Sequence, residues 1–297
     1  MIPTLFSVSY AGLWGQHQLG LIEFIERAAI LGYSAVELMG KRPHLSVLDY
    51  PPERLAAVRR RAADFNVSIA TIAGYTDFTL ASGTETPALE MQVAYVRQLA
   101  LAARELGARI VRIFTGYTTQ PDSYSRDWDV CVRGVRECAR ACADEGIVLG
   151  LQNHHDVGVG LDAYIEFLND VGHSNCRAMF DPWSIALHGE DLYTAAKRLA
   201  PRMVQTTLAD YVRLKRFAYQ PGLVNYRPQD AMIRAVPLGE GFLDLDGFFR
   251  GLREAGFSGY VAYEICSPLR GGGAEENLDA AARTALAKIQ QWAKSQP

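Results

Sequence analysis

Residues 252–264 read LREAGFSGYVAYE: the end of an amphipathic helix, a glycine turn, and a short apolar strand that ends in glutamate. The same order recurs earlier in the chain, at AAILGYSAVEL (28–38), AADFNVSIATI (62–72), ARELGARIVRIF (103–114) and DEGIVLGLQNHHD (144–156). Each helix stops at Gly or Asn, residues that tolerate a left-handed turn. With the opening strand LFSVSY (5–10) there are about eight strands, the number that closes a parallel barrel.

The fold class predicted from this pattern is α/β, a (β/α)8 TIM barrel. Helical segments with the 3.6-residue period separate the strands, and several strands are near-continuous apolar runs, which is typical of a sheet covered by helices. No shift in composition splits the chain, so we predict a single domain over residues 1–297. The predicted strands lie near residues 4–9, 34–39, 67–73, 108–114, 147–153, 176–181, 203–208 and 259–265.

A long loop is predicted after the seventh strand. Residues 211–242 lack helical periodicity and contain several prolines and glycines. A connection of this length in a compact domain is usually functional or disordered, and its aromatic residues argue against disorder. We therefore expect it to fold over the strand ends as a lid or to form a surface that binds a partner.

Composition excludes some classes of protein. The chain has 297 residues, of which 49% are hydrophobic and 21% are charged, with a net charge of -3. This balance argues against a nucleic-acid partner, which requires clustered Lys and Arg. An odd number of cysteines without a metal-type pair indicates reduced thiols. No signal peptide or membrane-spanning run is apparent, so we expect a cytoplasmic protein that does not bind membranes.

The fifth strand ends in a polar cluster, QNHHD, at residues 152–156. Alternation along a strand places Gln152 and His154 on the same face, which we expect to be the barrel mouth. A single histidine is more often a core or capping residue, but this run of polar residues after a buried strand favours a functional site. We predict His154 and His155 as acid/base residues, because the pKa of imidazole lies near neutrality.

Other strand ends carry further candidates. Asp181 ends the sixth strand, where its alternative role is a helix N-cap, and Glu264 ends the eighth, where its alternative is a salt bridge to the interior cation Arg112. Carboxylates and imidazoles that converge from several strands indicate either a divalent-metal site or a metal-free acid/base site. The remaining candidates at strand ends are Glu37, Lys41, His44 and Arg112, with Asn153, Gln205, Thr207 and Asp210.

Nearly the whole chain resembles the xylose isomerase-like TIM-barrel superfamily of sugar phosphate isomerases and epimerases. The motifs that carry the resemblance are PLGEGFLDLDGFFRGLREAGFSGYVAYE (237–264) and FDPWSIALHGED (180–191). The resemblance implies one divalent metal held by Glu, Asp, His and Glu on strands five to eight. In this chain those positions hold Gln152, Asp181, Thr207 and Glu264, so two usual ligands are replaced.

The resemblance implies a carbohydrate-active isomerase or lyase that removes a proton alpha to a carbonyl of a sugar, keto-sugar or cyclic polyol. Because Gln152 has no titratable proton, epimerisation by two carboxylates is disfavoured and elimination is preferred. The expected cofactor is Mn²⁺ or Mg²⁺, with Zn²⁺ as the other option. The alternatives are a ketose or sugar-phosphate epimerase, or a metal-poor barrel that acts only with a partner subunit; a homo-oligomer is also possible.

The predicted site has three groups of residues. The catalytic residues are His154, His155 and Glu264. The metal ligands are Gln152, Asp181, Thr207 and Glu264. The substrate contacts are Glu37, Lys41, His44, Arg112, Asn153, Trp183 and Arg270.

Overall fold

The computed structural model describes residues 1–81, 83, 85–118, 120 and 122–294. Its strands are β1 (Ile2–Phe6), β2 (Ala35–Met39), β3 (Ser68–Ala73), β4 (Ile110–Ile113), β5 (Val148–Gln152), β6 (Cys176–Phe180), β7 (Met203–Leu208), β8 (Asp210–Gln220), β9 (Asn225–Val236) and β10 (Tyr260–Tyr263).

Eight of these strands close a parallel barrel in the order β1-β10-β7-β6-β5-β4-β3-β2. Leu5 of β1 is in register with Tyr263 of β10 on one side and with Val36 of β2 on the other, which joins the two ends of the chain. The predicted (β/α)8 barrel is therefore confirmed. The first strand is shorter than expected, because Ser7–Tyr10 form a 3-10 turn.

Helices surround the barrel and bury their apolar faces on it. The α-helices are α1 (Leu21–Ile30), α2 (Pro52–Asp64), α3 (Ala88–Leu106), α4 (Tyr124–Asp144), α5 (Leu161–Val171), α6 (Pro182–Ala186), α7 (Leu192–Leu199), α8 (Leu245–Glu254) and α9 (Glu275–Lys294). One cluster of buried apolar residues extends from Leu5 to Trp292. It includes Cys131, Cys138 and Cys142 on one face of α4, and all three are free thiols.

The turns before the strands have the predicted backbone conformation. Gly256 has a φ of 72°, Gly146 of 70° and Asn66 of 54°, all in the left-handed region. A residue with a Cβ is strained there, and Gly and Asn are the residues that adopt it most readily. In each case the helix ends two residues before this position, and the chain then turns towards the next strand.

The long connection after β7 is present, but it is not an irregular loop. Strands β8 and β9 pair antiparallel from Asp210↔Val236 at the barrel to Gln220↔Asn225 at the tip. Alternating apolar and charged residues, such as those of DYVRLKRF, form a strand pattern that the absence of helical periodicity did not reveal. The outer half of this hairpin is exposed, including its aromatic residues Phe217, Tyr219 and Tyr226.

Within the described ranges, the structure contains no helix that is both long enough and apolar enough to span a bilayer. The prediction of a single domain over residues 1–297 stays a prediction, and residues 295–297 lie outside the described ranges.

Candidate active site

A cavity of about 440 Å³ opens at the carboxyl ends of the barrel strands. Parallel barrels place their functional residues at this face, because the loops that follow the strands converge there. Its wall is rich in aromatic residues and contains both acidic and basic side chains. The lining residues are Phe6, Val8, Leu13, Trp14, Lys41, Tyr75, Arg112, Phe114, Tyr117, Gln152, His154, His155, Trp183, Tyr211, Ile233, Glu264, Cys266 and Ser267.

Asp181 lies at the centre of the acidic part of the site. It is fully buried and caps α6, with its Oδ1 accepting a hydrogen bond from the Trp183 amide at 3.2 Å. Its Oδ2 accepts a hydrogen bond from Gln152 Nε2 at 3.2 Å and lies 3.7 Å from His154 Nδ1. The N-cap and the functional interpretation of this aspartate are therefore compatible, since each uses a different carboxylate oxygen.

Glu264 lies within electrostatic reach of Asp181. Burial, followed by repulsion from Asp181, raises the pKa of Glu264 to about 7, whereas hydrogen bonding to Cys266 and the charge of Arg112 oppose the shift. A carboxyl group with a pKa near neutrality exchanges protons readily at physiological pH. The structure thus brings Gln152, Asp181 and Glu264 to one end of the barrel.

The adjacent histidines have different environments. His155 has a φ of 69° and stacks on Tyr117, with ring centroids 3.8 Å apart. Burial, then the charges of His154 and Arg112, lower the pKa of His155 to about 3. His155 is therefore neutral at pH 7, while His154 faces the carboxylate of Asp181. Strained backbone at a residue that is not glycine is concentrated at functional sites in proteins.

Arg112 is buried in the cavity wall, and among the ion pairs of the described residues it pairs with Glu37 and not with Glu264, the alternative role considered for that glutamate. Its Nε lies 3.7 Å from Oε1 of Glu37, which is completely buried beneath the cavity. Glu37 Oε2 accepts a hydrogen bond from Gln205, whose own carbonyl accepts one from Thr71. Burial is the main cause that raises the pKa of Glu37 to about 8. Glu37 therefore belongs to an interior network and does not line the cavity.

Three other predicted substrate contacts lie outside the cavity. His44 is buried, with its ring nitrogens 3.0 Å from Ser7 Oγ and 3.1 Å from the Leu19 carbonyl. Asn153 holds the backbone of residue 181, accepting from its amide at 2.7 Å and donating to its carbonyl at 3.1 Å. Arg270 is at the surface and pairs with Glu240 at 3.1 Å. These three side chains make their polar contacts with other groups of the protein. The position of a residue after a strand in the sequence does not reveal such contacts.

The residues at the family's metal positions offer an oxygen-rich set of donors. Asp181 and Glu264 supply carboxylates, and Gln152 and Thr207 supply neutral oxygens. Thr207 Oγ1 is buried without a hydrogen-bond partner, as expected of a group that serves a ligand. Within the described part of the chain, no three or more His, Cys, Asp or Glu side chains are grouped to hold a metal. This set fits Mg²⁺ or Mn²⁺ better than Zn²⁺, which prefers nitrogen and sulfur ligands.

Unpartnered polar atoms are concentrated around the cavity. Most buried polar groups in proteins have a partner, so each exception requires an explanation. Of the ten such atoms among the described residues, four lie on Asp127, Arg234, Arg253 and Tyr263, none of which lines the cavity; the other six lie on side chains that line it or are buried near it. These six atoms are Tyr75 Oη, Arg112 Nε and Nη1, His155 Nδ1, Thr207 Oγ1 and Glu37 Oε1.

Sequence reasoning did not identify several residues of the wall. Tyr75 and Phe114 follow β3 and β4, so the rule that selected His154 applies to them as well. Tyr211 and Ile233 come from the base of the hairpin, and Trp14 from the loop after β1. Tyr211 and Ile233 belong to the segment 211–242, which the sequence predicts to fold over the strand ends or to bind a partner, but which of its residues reach the wall depends on how the connections fold, as it does for Trp14.

Solved structures of similar fold were found for almost the whole chain. One is a probable 3-DHS dehydratase, AsbF, from Bacillus anthracis (17% identity, 98% of this chain and 99% of that chain, TM-score 0.71). Another is D-psicose 3-epimerase with D-tagatose from Clostridium cellulolyticum H10 (15% identity, 99% and 100%, TM-score 0.76). A third is the IolI protein with a bound zinc atom (16% identity, 99% and 98%, TM-score 0.74).

At these identities the solved structures establish the fold alone. No curated protein matches the sequence. The family model described as "Xylose isomerase-like TIM barrel" matches residues 25–292, which include the strands that carry Gln152, Asp181 and Glu264. This chain belongs to the xylose isomerase-like TIM-barrel family.

Proposed function

We propose that this protein is a carbohydrate-active isomerase or lyase that removes a proton alpha to a carbonyl of a sugar, keto-sugar or cyclic polyol. The observation that carries the proposal is the placement of His154 and Glu264 beside buried Asp181, in an aromatic cavity that retains unpartnered hydrogen-bonding groups. Enolisation requires a base, an acid and donors for the developing oxyanion. The structural neighbours named as a dehydratase and as epimerases are consistent with this chemistry.

In the proposed reaction His154 is the principal acid/base residue. The Asp181 carboxylate beside Nδ1 orients the ring and leaves Nε2 to take the substrate proton. In the metal-free site Glu264, with a pKa of about 7, returns a proton to the substrate or to its leaving group; when Glu264 ligates a cation, the imidazolium of His154 would do so. His155 stays neutral and acts in positioning through its stacking on Tyr117.

Aromatic side chains and cations would hold the substrate. Trp183 forms part of the wall with Tyr211, at 5.1 Å between ring centroids, and offers a face for a sugar ring. Arg112 and Lys41 contact substrate oxygens from the opposite side. A divalent cation, when held by Asp181 and Glu264 with neutral oxygens from Gln152 and Thr207, supplies Lewis-acid stabilisation of an enediolate.

We prefer elimination to epimerisation. Epimerisation by paired carboxylates needs a second base on the opposite face of the substrate, and Gln152 occupies the position where the family usually has glutamate. An amide cannot take that proton. Histidine at the same strand end suits the departure of a β-hydroxyl or glycosyl group, because imidazolium is an effective general acid near neutral pH.

Proton exchange provides the test. The purified protein would be incubated in D₂O with inosose, 3-keto-glycosides, ketohexoses and keto-uronates such as D-fructuronate, with and without added Mn²⁺, and followed by NMR and mass spectrometry. We expect loss of the proton alpha to the carbonyl, followed by dehydration or bond cleavage. Epimers formed without elimination would support the epimerase alternative, and absence of exchange from every compound would contradict the proposal.

A second candidate is a barrel that acts only with a partner subunit. The exposed aromatic residues of the hairpin favour it, because large apolar side chains on a protruding element often mark an interaction surface. Activity of the isolated chain separates the two candidates, and metal content measured by mass spectrometry shows whether the site is loaded. An inactive, metal-poor chain that gains activity in a complex would favour the second.

A further inference from the structure

Arg112 is a buried cation with unused donors. Its side chain is almost completely inaccessible, and its guanidinium carbon lies 4.0 Å from the Phe114 ring centroid and 4.9 Å from that of Tyr75. The faces of these aromatic rings attract the positive charge of the guanidinium. They do not, however, accept hydrogen bonds from its N–H groups, which point outward in the guanidinium plane. Nε and Nη1 have no hydrogen-bond partner, although the side chain lines the cavity. Leaving charged donors unpaired is costly, so this arrangement points to a ligand that accepts them.

Glu37 offsets this charge only in part. The 3.7 Å separation from Arg112 exceeds a hydrogen bond, and one oxygen of Glu37 is already bonded to Gln205. Burial raises the pKa of Glu37 to about 8, so the carboxyl group is mostly protonated at pH 7. Among the described residues, no carboxylate other than that of Glu37 forms an ion pair with Arg112 within 4 Å.

Lys41 adds a second positive charge to the same wall. Its Nζ lies 3.9 Å from the ring centroid of Tyr75, the ring that also faces Arg112. Partial burial, and then repulsion by Arg112, lower the pKa of Lys41. Two cations that share one aromatic ring repel each other, and an anion between or beside them would relieve that repulsion.

We propose that Arg112 and Lys41 form a subsite for a carboxylate group, so that the substrate is a hydroxylated ring compound bearing an acid and not a neutral sugar. This inference rests on the proposed function, because it names the substrate class of the same cavity. Phosphate is disfavoured: it carries about -1.5 to -2 charges at pH 7, and desolvating a dianion between aromatic walls costs far more than desolvating a carboxylate.

A matched set of hexoses tests the inference without turnover. Isothermal titration calorimetry at pH 7 would compare D-glucose, D-glucuronate and D-glucose 6-phosphate, which share a ring and differ at carbon 6. We expect D-glucuronate to bind at least about tenfold more tightly than D-glucose, since hydrogen bonds to charged groups exceed those to neutral ones. D-Glucose 6-phosphate should bind more weakly than D-glucuronate.

Variants of Lys41 and Arg112 test whether these two residues cause the preference for D-glucuronate over D-glucose. Lys41 is exposed at the rim, so Lys41→Met should fold normally while lowering D-glucuronate affinity about tenfold and D-glucose affinity by clearly less. Lys41→Arg keeps the charge and should retain most of the preference. Arg112→Met should abolish the preference, with circular dichroism as the check on its fold.

Two results would overturn the carboxylate subsite. One is equal affinity of the wild type for D-glucose and D-glucuronate, including no measurable binding of either at millimolar concentration. The other is tighter binding of the 6-phosphate. Failure of proton exchange in D₂O together with retained carboxylate preference would instead reject the proposed reaction and leave the subsite standing.

Discussion

At the scale of single residues, the two histidines show how neighbours in sequence acquire different chemistry. Both follow β5, but His154 lies beside Asp181, whereas His155 occupies a left-handed backbone position and is enclosed by Phe114 and Tyr117. Burial among aromatic rings disfavours the imidazolium form, and this is why the pKa of His155 falls to about 3.

Substitution of the two histidines should therefore have unequal effects. We expect His154→Gln to lower kcat by roughly 10²–10⁴-fold, the usual contribution of a general acid/base. His155→Asn, which tolerates a positive φ, should lower kcat by less than about tenfold. Steady-state kinetics of both variants would measure this difference, with thermal denaturation as the control for folding. A larger loss of kcat in the His155 variant than in the His154 variant would assign the principal acid/base role to His155.

Glu37 gives a prediction for stability against pH. Its pKa in the folded protein is about 8, against 4.5 as the ordinary value. The folded state thus retains a proton that the unfolded state has lost, so its contribution to stability falls as pH rises from about 4.5 to about 8. At roughly 1.4 kcal/mol per pKa unit, the change amounts to several kcal/mol.

Glu37→Gln should remove that dependence. A neutral amide mimics the protonated carboxyl, so the variant should match the wild type near pH 4 and be the more stable protein at pH 8. Urea denaturation at pH 4, 6 and 8 would measure the difference. A variant that is less stable than the wild type at pH 8, and by a smaller margin at pH 4, would show instead that Glu37 stabilises the barrel as an anion paired with Arg112.

At the scale of elements, glycine turns and one aspartate position the strand ends. Asp210 follows β7 and accepts backbone hydrogen bonds from Gly239 at 2.9 Å and Gly241 at 2.8 Å. A Cβ at Gly241 would overlap the carboxylate of Asp210, so the close approach requires glycine. This anchor closes the base of the hairpin, from which Tyr211 and Ile233 reach the cavity.

Removal of the anchor should loosen the cavity wall. Asp210→Ala leaves several backbone N–H groups without an acceptor, and we expect a loss of about 2 kcal/mol or more in the free energy of unfolding. Amide exchange in residues 236–243 should accelerate while β1 to β6 remain protected. Asp210→Asn, which keeps one acceptor oxygen, should be intermediate. Unchanged exchange in the alanine variant would contradict the anchoring role.

Gly256 isolates the cost of backbone conformation at a turn. Its φ is 72°, and a Cβ placed there would have no other atom within 4 Å. We expect Gly256→Val to destabilise the protein by roughly 1–2 kcal/mol or more, because the strain of a β-branched residue in the left-handed region is not mixed with a steric clash. Gly256→Asn should cost less. Equal unfolding free energies for the two variants, measured in urea, would contradict this reasoning.

At the scale of the whole molecule, the hairpin is separate from the barrel sheet. Strands β8 and β9 pair with each other, and most side chains from residue 215 to residue 231 are exposed. The hydrogen bonds between neighbouring barrel strands form a closed ring that does not include β8 or β9. The protein therefore combines a complete barrel with a protruding element whose base contributes to the cavity and whose tip does not.

Shortening the hairpin would separate these roles. Replacement of residues 214–232 by Asn-Gly, a sequence suited to a tight hairpin turn, should leave a cooperatively folded barrel with its cavity intact. We expect its thermal midpoint to stay within a few degrees of the wild type, because little buried area is lost. Loss of cooperative unfolding would show that the tip supports the barrel. Association state before and after shortening, measured by light scattering, would reveal a role in assembly.

Periodicity and turn residues alone determined the (β/α)8 barrel, the number of its strands and the face that carries the cavity. These features depend on local sequence patterns. At residues 252–264, for example, the pattern of helix, turn and strand can be recognised in the sequence, and the strand is present in the structure as β10. Convergence of Gln152, Asp181 and Glu264 at one end followed from strand order, since side chains at the carboxyl ends of neighbouring parallel strands meet at the same edge.

Tertiary structure decided which polar residues are available to a ligand. Three polar residues that follow strands make their contacts with other groups of the protein: His44, Asn153 and Arg270. Arg112 and His155 keep unpartnered donors or acceptors. Burial, hydrogen bonding and charge depend on side chains that are distant in sequence, so the partner of a polar group, and hence its pKa and its chemistry, exists only after the barrel has closed.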